Sequence, residues 1–342
     1  MRRANRGLLV LIPDQRPVQR FAPEVPDLLR TVARDRSDEA AVGEEVIVRL
    51  DDAEVVAFGV CEVCDLLAGM SEDDPVTGRR MLSGSQYADD RHLRSRVSIY
   101  AYAETAPDPS WRTSLIPWDG TQIVADVGCG NGFDLRQIVP QARCRHAVGI
   151  DLSAGMLRSL ADLRPSGRLS LVQADAQHLP LRDGSVDVAM AMHMLYHVPD
   201  VMAAIRELRR ITKPGGTVLA STNSSAHLAE IAALQAAAIS RQLGGPVAAR
   251  HADSFTTQTG AALLSREFSS VTLRTLDVPL SIPAPQPVIT YVDSLREPTL
   301  AMVREPLDFD ALLDDIAMQV EQVIQAKGRF RATTHMGVFI CR

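Results

Sequence analysis

The residues best equipped for chemistry concentrate between Val124 and His197. In "VADVGCGNG" three glycines alternate, Gly128, Gly130 and Gly132, directly after an apolar run that carries a carboxylate at Asp126. Glycine has no Cβ, so the backbone can turn sharply there and come close to a ligand. "TQIVADV" before the turn reads as a buried strand, and "FDLRQIV" after it reads as a short helix stopped by Pro140. Strand, glycine turn and helix together open a nucleotide-binding α/β domain. Asp151 ends the next strand pattern, "HAVGID", 19 residues past Gly132. A carboxylate there can accept both hydrogen bonds of a ribose diol, or it can cap the helix that follows. Asp126 is poorly placed for a pyrophosphate, because it adds negative charge where two phosphates would lie. It suits a ligand with an ammonium group and a sulfonium.

A second constellation lies in "AMAMHMLYHVPD", where His193, Tyr196 and His197 are candidates for a general base. Histidine titrates near physiological pH, and the two histidines are four residues apart, so a helical turn would set them on one face. The competing reading makes them packing residues bonded to backbone. Met190, Met192 and Met194 alternate along the same stretch, and some of them are core filler. No set of histidines with a carboxylate and no acidic cluster stands at this site, so no metal is expected. Cys61 and Cys64 form a C-x-x-C without a second pair, which supplies only half of a tetrahedral zinc site.

The elements that must position these groups alternate regularly. Strand patterns run over 146–151, 169–175, 186–192 and 217–222, with helix patterns over 153–163 and 199–212 between them, Ser153 capping the first. Such alternation over short connections indicates right-handed βαβ units and a mostly parallel sheet. The tail breaks the pattern: a long alanine-rich helix over 226–243, a strand over 269–278, a helix over 308–328 stopped at Gly328, and a final strand over 330–342. Two closing strands with helices between them suggest an antiparallel hairpin at a sheet edge. Upstream, "YADDRHLRSRVSIYAY" has helical character, and "EEVIVRLDDAEVVAFGVCEV" reads as two strands turning at Asp51-Asp52.

With 342 residues, 46% hydrophobic and 23% charged, the chain has the balance of a globular protein. Its net charge of −6 gives no overall footprint for nucleic acid, although "RHLRSR" is a local basic patch. The apolar stretch in "MRRANRGLLVLIP" is too short for a signal peptide, and no run reaches membrane-spanning length, so a cytoplasmic protein is expected.

"VADVGCGNG", "GIDLSAGML", "QADAQHLPLRDGSVDVAMAMHMLYHVPD" and "LRRITKPGGTVLAST" resemble the successive motifs of class I S-adenosylmethionine-dependent methyltransferases. The resemblance is to the broad small-molecule group that includes the ubiquinone/menaquinone methyltransferases. It implies an α/β, Rossmann-like, seven-stranded, mostly parallel sheet with an antiparallel last hairpin and helices on both faces. It implies a methyltransferase domain over 83–342, with 1–82 an N-terminal extension acting as a lid, an oligomerisation element or an accessory α+β unit. The implied reaction is methyl transfer to a small-molecule acceptor, a biosynthetic intermediate, with S-adenosylhomocysteine as product. Two alternatives stand beside it: methylation of RNA or protein recognised through the extension, and a non-catalytic cofactor-binding scaffold. By the same resemblance Gly128, Gly130 and Gly132 pass close to the methionyl part, and Asp126 approaches its amino group. Asp151 binds the ribose and Leu152 packs on the adenine, whose amine Asp175 receives beside the Ala176 backbone. Met192 and His193 line the passage to the acceptor, and Arg96 and Tyr100 close over the methionyl carboxylate. The acceptor's walls are expected from Asn223 to Leu264, holding Phe255, from the "SIPAPQPVITYVDSL" segment, holding Tyr291, and from the extension.

Overall fold

The structure is a computed structural model that describes residues 87–245, 254–303 and 306–342, together with the backbone of 46–50 and 53–57. The Cys61/Cys64 pair, the N-terminal basic and apolar stretch and most of the extension lie outside the described residues. Strands β1 (Val46–Leu50) and β2 (Ala53–Ala57) pair antiparallel, with Leu50 opposite Ala53. Seven more follow: β3 (Ile123–Val127), β4 (His146–Asp151), β5 (Leu169–Gln173), β6 (Val186–Met192), β7 (Thr212–Asn223), β8 (Val271–Ile282) and β9 (Phe330–Cys341). The sheet order is β1-β2-β5-β4-β3-β6-β7-β9-β8. From β2 to β7 neighbours run parallel; β9 is antiparallel to β7, and β8 to β9. The seven-stranded, mostly parallel sheet with an antiparallel closing hairpin is therefore present. The N-terminal strand pair extends its β5 edge through Val56 opposite Val172 and Ala57 opposite Gln173.

Alternate residues of the central strands feed two cores, one on each face of the sheet. On one side Ala125, Val127, Val148, Ile150, Ala189 and Ala191 pack beneath α4, the helix Val201–Ile211 in this chain-order numbering. That helix begins where Asp200 accepts a hydrogen bond from the Ala203 amide at 2.9 Å. It buries Ile205, Leu208 and Ile211, each worth about 1.5–3 kcal/mol. On the other side Val124, Ala147, Val188, Met190 and Leu219 meet α2 (Leu135–Ile138) and α3 (Ala154–Arg158). A third core joins β8 and β9 to α5 (Ala229–Leu243), α7 (Gln286–Asp293) and α9 (Phe309–Lys327). The remaining helices are α1 (Arg91–Val97), α6 (Gly260–Leu264) and α8 (Arg296–Met302).

The helix expected over 153–163 is broken. Ser153 caps it, accepting from the Met156 amide at 3.3 Å, but the α-helix ends at Arg158 and a 3-10 turn follows over Ala161–Ser166. Proline at 165, which cannot donate to an α-helical ladder, sits inside that turn. Topology then fixes where a ligand binds. The chain passes from β3 to β4 on one side and later returns to β6 on the other. Beyond the carboxyl ends of β3 and β6 the flanking connections therefore part, leaving a crevice.

Candidate active site

A cavity of about 680 Å³ opens at that crevice. Its floor is the glycine turn. Gly128, Gly130 and Gly132 adopt φ of +66°, +54° and +72°, a region costly for any residue with a Cβ. The three do different work. A Cβ on Gly128 would stand 2.7 Å from Met194 Cβ, and one on Gly132 only 1.9 Å from Leu160 Cδ2. Beside Gly130 a Cβ would meet only Leu93 Cδ2, at 3.7 Å, an ordinary contact, so its need for glycine is the positive φ and not crowding. Gly132 alone among the expected cofactor-binding and catalytic residues does not line the cavity; it packs the turn onto Leu160.

Three carboxylates meet the cavity from consecutive strands. Asp126 is 1% exposed, and its Oδ1 has no hydrogen-bond partner. Burial drives its carboxyl well above the usual carboxylate range; Asp134 and Asp151 push the same way and Arg112 opposes them. Asp151 accepts from the Gly130 amide through Oδ2 and from the Ser153 amide through Oδ1, both at 2.8 Å. Desolvation raises its carboxyl, and those two amides hold the shift back. Each carboxylate oxygen retains a further lone pair, so Asp151 is oriented by the turn without being used up. The helix cap is Ser153, not Asp151. Asp175 accepts from the Gln177 amide at 2.8 Å and from its side-chain amide at 3.1 Å, a local aspartate turn beside Leu152 and Ala176.

The inner wall carries the histidines and tyrosines. His193 directly follows β6 with φ +55°, a strained setting for a residue with a Cβ, fixed by its amide donating to Ser221. Burial pushes its imidazole well below the ordinary value, helped by Arg112, His227 and His197, so the ring is neutral around pH 7. Burial likewise raises the Tyr196 and Tyr100 phenols, which keep their protons. Arg96 Nη1 donates to Tyr87 Oη at 3.1 Å, and the same oxygen lies 3.1 Å from His197 Nε2. Tyr100 Oη stands 3.5 Å from His227 Nε2, and Tyr291, Asn223 and Met336 complete this end. The structure thus brings Arg96, Tyr100, Asp126, Gly128, Gly130, Asp151, Leu152, Asp175, Ala176, Met192, His193, Tyr196 and His197 around one cavity. Phe255, expected in the acceptor's wall, is instead fully buried, its ring 5.8 Å from that of Phe339.

Several lining residues carried no signal in the sequence. Arg112 makes a two-pronged ion pair with Asp134, at 3.1 and 3.0 Å, and lies 4.8 Å over the Phe133 ring. The pair is nearly sealed from solvent, with side chains 11% and 5% exposed. It anchors the segment before β3 to the start of α2. Tyr87 bridges the two ends of the cavity: its carbonyl accepts from Ser153 Oγ and its hydroxyl meets His197.

Residues 125–220 match the family described as a methyltransferase domain. This segment is similar to a methyltransferase domain. The domain is 38% identical over 124 residues to a ubiquinone biosynthesis O-methyltransferase of Ralstonia nicotianae, covering 34% of this chain and 51% of that protein. It is 32% identical over 163 residues to a malonyl-[acyl-carrier protein] O-methyltransferase of Serratia marcescens, covering 47% of this chain and 59% of that one. The chain thus spans about half the length of these relatives. Among solved structures, the Haemonchus contortus phosphoethanolamine N-methyltransferase 2 in complex with S-adenosyl-L-methionine aligns with a TM-score of 0.41 and 17% identity, covering 74% of this chain and 58% of that one. Among the described residues no helix is long and apolar enough to cross a membrane, and no cluster of three His, Cys, Asp or Glu side chains could hold a metal ion.

Proposed function

We propose that the chain transfers a methyl group from S-adenosylmethionine to a small-molecule acceptor held in the same cavity. The observation that carries this reading is Asp126, a buried carboxylate with an unpartnered oxygen on a residue that lines the same cavity as the glycine turn. An ammonium group satisfies that oxygen and favours its charged form; a phosphate would do neither. Asp151 receives the ribose hydroxyls on the lone pairs its two amides leave over. Leu152 and Ala176 flank the adenine, Asp175 accepts from its amine, and Arg96 and Tyr100 close over the methionyl carboxylate.

S-adenosylmethionine, when bound, supplies a methyl group on a sulfonium, which passes to the acceptor's nucleophilic atom as the C–S bond breaks and its electron pair stays on sulfur. The protein's own contribution is chiefly alignment, for which well-oriented reactants gain about 7–11 kcal/mol. Where the acceptor must lose an acidic proton, His193, neutral and held at the end of β6, takes it; burial weakens it as a base, so only a readily lost proton is within its reach. Tyr196 keeps its own proton and does not serve as the base, while His197 is steadied by Tyr87.

The test is calorimetric titration with S-adenosylmethionine, followed by transfer of isotope label into metabolite, RNA and protein fractions. Nanomolar to micromolar binding with label in a small molecule is the expected result. Label confined to RNA or protein replaces the acceptor class, and absence of binding removes the proposal. Asp151→Ala is expected to weaken binding on the order of a hundredfold, since two hydrogen bonds to a charged group contribute roughly 3 kcal/mol.

A further inference from the structure

Two residues lining the cavity each carry a buried side-chain oxygen without a hydrogen-bond partner, Asp126 Oδ1 and Asn223 Oδ1. The proposed cofactor accounts for the first. The second lies elsewhere. Asp126 pairs in register with Met190, and Met190 with Leu219; Asn223 lies four residues further along β7. Side chains alternate along a strand, so Asp126, Leu219, Ser221 and Asn223 share one face. Two strand spacings across and four residues along separate Asp126 from Asn223 by roughly 16 Å. The direction matters as much as the distance. The proposed ribose and adenine contacts lie towards β4 and β5, whereas Asn223 lies on the opposite flank, beyond β6. It therefore faces the part of the cavity left for the acceptor.

The main chain of Asn223 is held firmly, its carbonyl accepting from the Thr257 amide at 3.1 Å and its backbone paired opposite Met336. Its side-chain Oδ1 has no hydrogen-bond partner, and whichever way the amide is turned the polar atom at that position lacks one. An unpaired buried amide destabilises the free protein, so a ligand group that pairs with it is strongly preferred over one that cannot. Met336 stands opposite it, and Tyr100, His193, His227 and Tyr291 line the same cavity, a set of rings with polar edges.

Resting on the methyl-transfer reading, we propose that Asn223 sets acceptor specificity: the acceptor carries an O–H or N–H that donates to the Asn223 amide, on an otherwise apolar, ring-sized body. The experiment loads the full-length protein with S-adenosylhomocysteine and measures dissociation constants for two matched probe pairs, phenol against anisole and benzamide against acetophenone. The first member of each pair carries the donor and the second lacks it. The wild type is expected to prefer at least one donor probe by about tenfold, and the pair that shows it distinguishes O–H from N–H. Asn223→Leu, which keeps the volume and removes the amide, is expected to abolish that preference, with S-adenosylhomocysteine affinity held within about twofold and the unliganded melting temperature unchanged or higher. Asn223→Asp, which keeps an acceptor oxygen, retains the preference and serves if the leucine variant does not fold. A wild type without preference for either donor, or a leucine variant that keeps it, overturns the proposal. A wild type that binds no S-adenosylhomocysteine overturns the methyl-transfer reading instead, and the probe pairs, run on the unliganded protein, still decide the role of Asn223.

Discussion

Asp126→Asn separates what the fold needs from what the ligand needs. The wild-type carboxyl is 1% exposed, has an oxygen without a partner and is held well above the ordinary carboxylate range, chiefly by burial. Asparagine keeps the shape and cannot ionise. Because the folded value is raised, the carboxyl's contribution to stability is complete below the unfolded value near pH 4 and is lost as pH rises through the folded value. At pH 4 the two proteins should therefore match within about 0.5 kcal/mol. Above the folded value the variant gains about 1.4 kcal/mol for each unit by which the wild-type carboxyl is displaced. That gain appears as a melting temperature raised by a few degrees at pH 8. Cofactor affinity should move the other way. Losing a charge-assisted partner for an ammonium costs about 1.5–3 kcal/mol, or roughly ten- to a hundredfold. Thermal unfolding between pH 4 and 8 and titration calorimetry with S-adenosylmethionine read both effects. The same titration in buffers of different ionisation heat should show proton release from the wild type and none from the variant, because the ammonium recharges Asp126. A variant that binds as tightly as the wild type, or that is less stable at pH 8, refutes the assignment of Asp126 to the ligand.

Three further predictions concern the scaffold under the site. Gly132→Ala combines φ of +72° with a Cβ 1.9 Å from Leu160 Cδ2, and urea unfolding should show a loss of about 2–5 kcal/mol. Gly130→Ala meets no close neighbour and should cost only the left-handed strain, about 1–2 kcal/mol. Arg112→Met leaves the Asp134 carboxylate buried without its cation, for a loss of about 3–5 kcal/mol by the same assay. Adding Asp134→Leu to that variant should recover most of the loss; if it does not, the arginine acts by something other than pairing.

The parallel core could be read from sequence because each of its strands is buried on both faces. "HAVGID" and "VDVAMAM" are largely apolar runs, interrupted only by His146, Asp151 and Asp187, and they coincide with β4 and β6 to the residue. Local pattern failed where a tertiary contact overrode it. Around α3, a Cβ on Gly155 would stand 1.8 Å from the Ala88 carbonyl, so the helix is packed hard against the segment entering α1. Nothing in "SAGMLRSLADL" itself announces that approach, nor its early stop. Phe255 failed for a related reason: a large aromatic in a segment taken for a pocket wall was claimed by the core face of β9 through Phe339.

The site divides along the same line. Motif residues from Asp126 to His197 were visible because each is positioned by its own strand end or turn, so spacing along the chain carries the information. Pairings between distant residues left no such trace: Tyr87 meets His197 across 110 positions, and Arg112 meets Asp134 across 22. Asn223 stands between these cases. It continues the face defined by Leu219 and Ser221 at the carboxyl end of β7, so strand periodicity could have singled out a polar side chain pointing where ligands bind. Periodicity could not have told whether the protein satisfies that side chain itself, as Phe255 satisfies Thr222 through its carbonyl at 2.7 Å. Thr222 and Asn223 are adjacent polar residues on opposite faces of one strand, one paired within the core and one left open to the cavity. That contrast, invisible in the sequence, is the physical reason to assign Asn223 to a ligand and Thr222 to the fold.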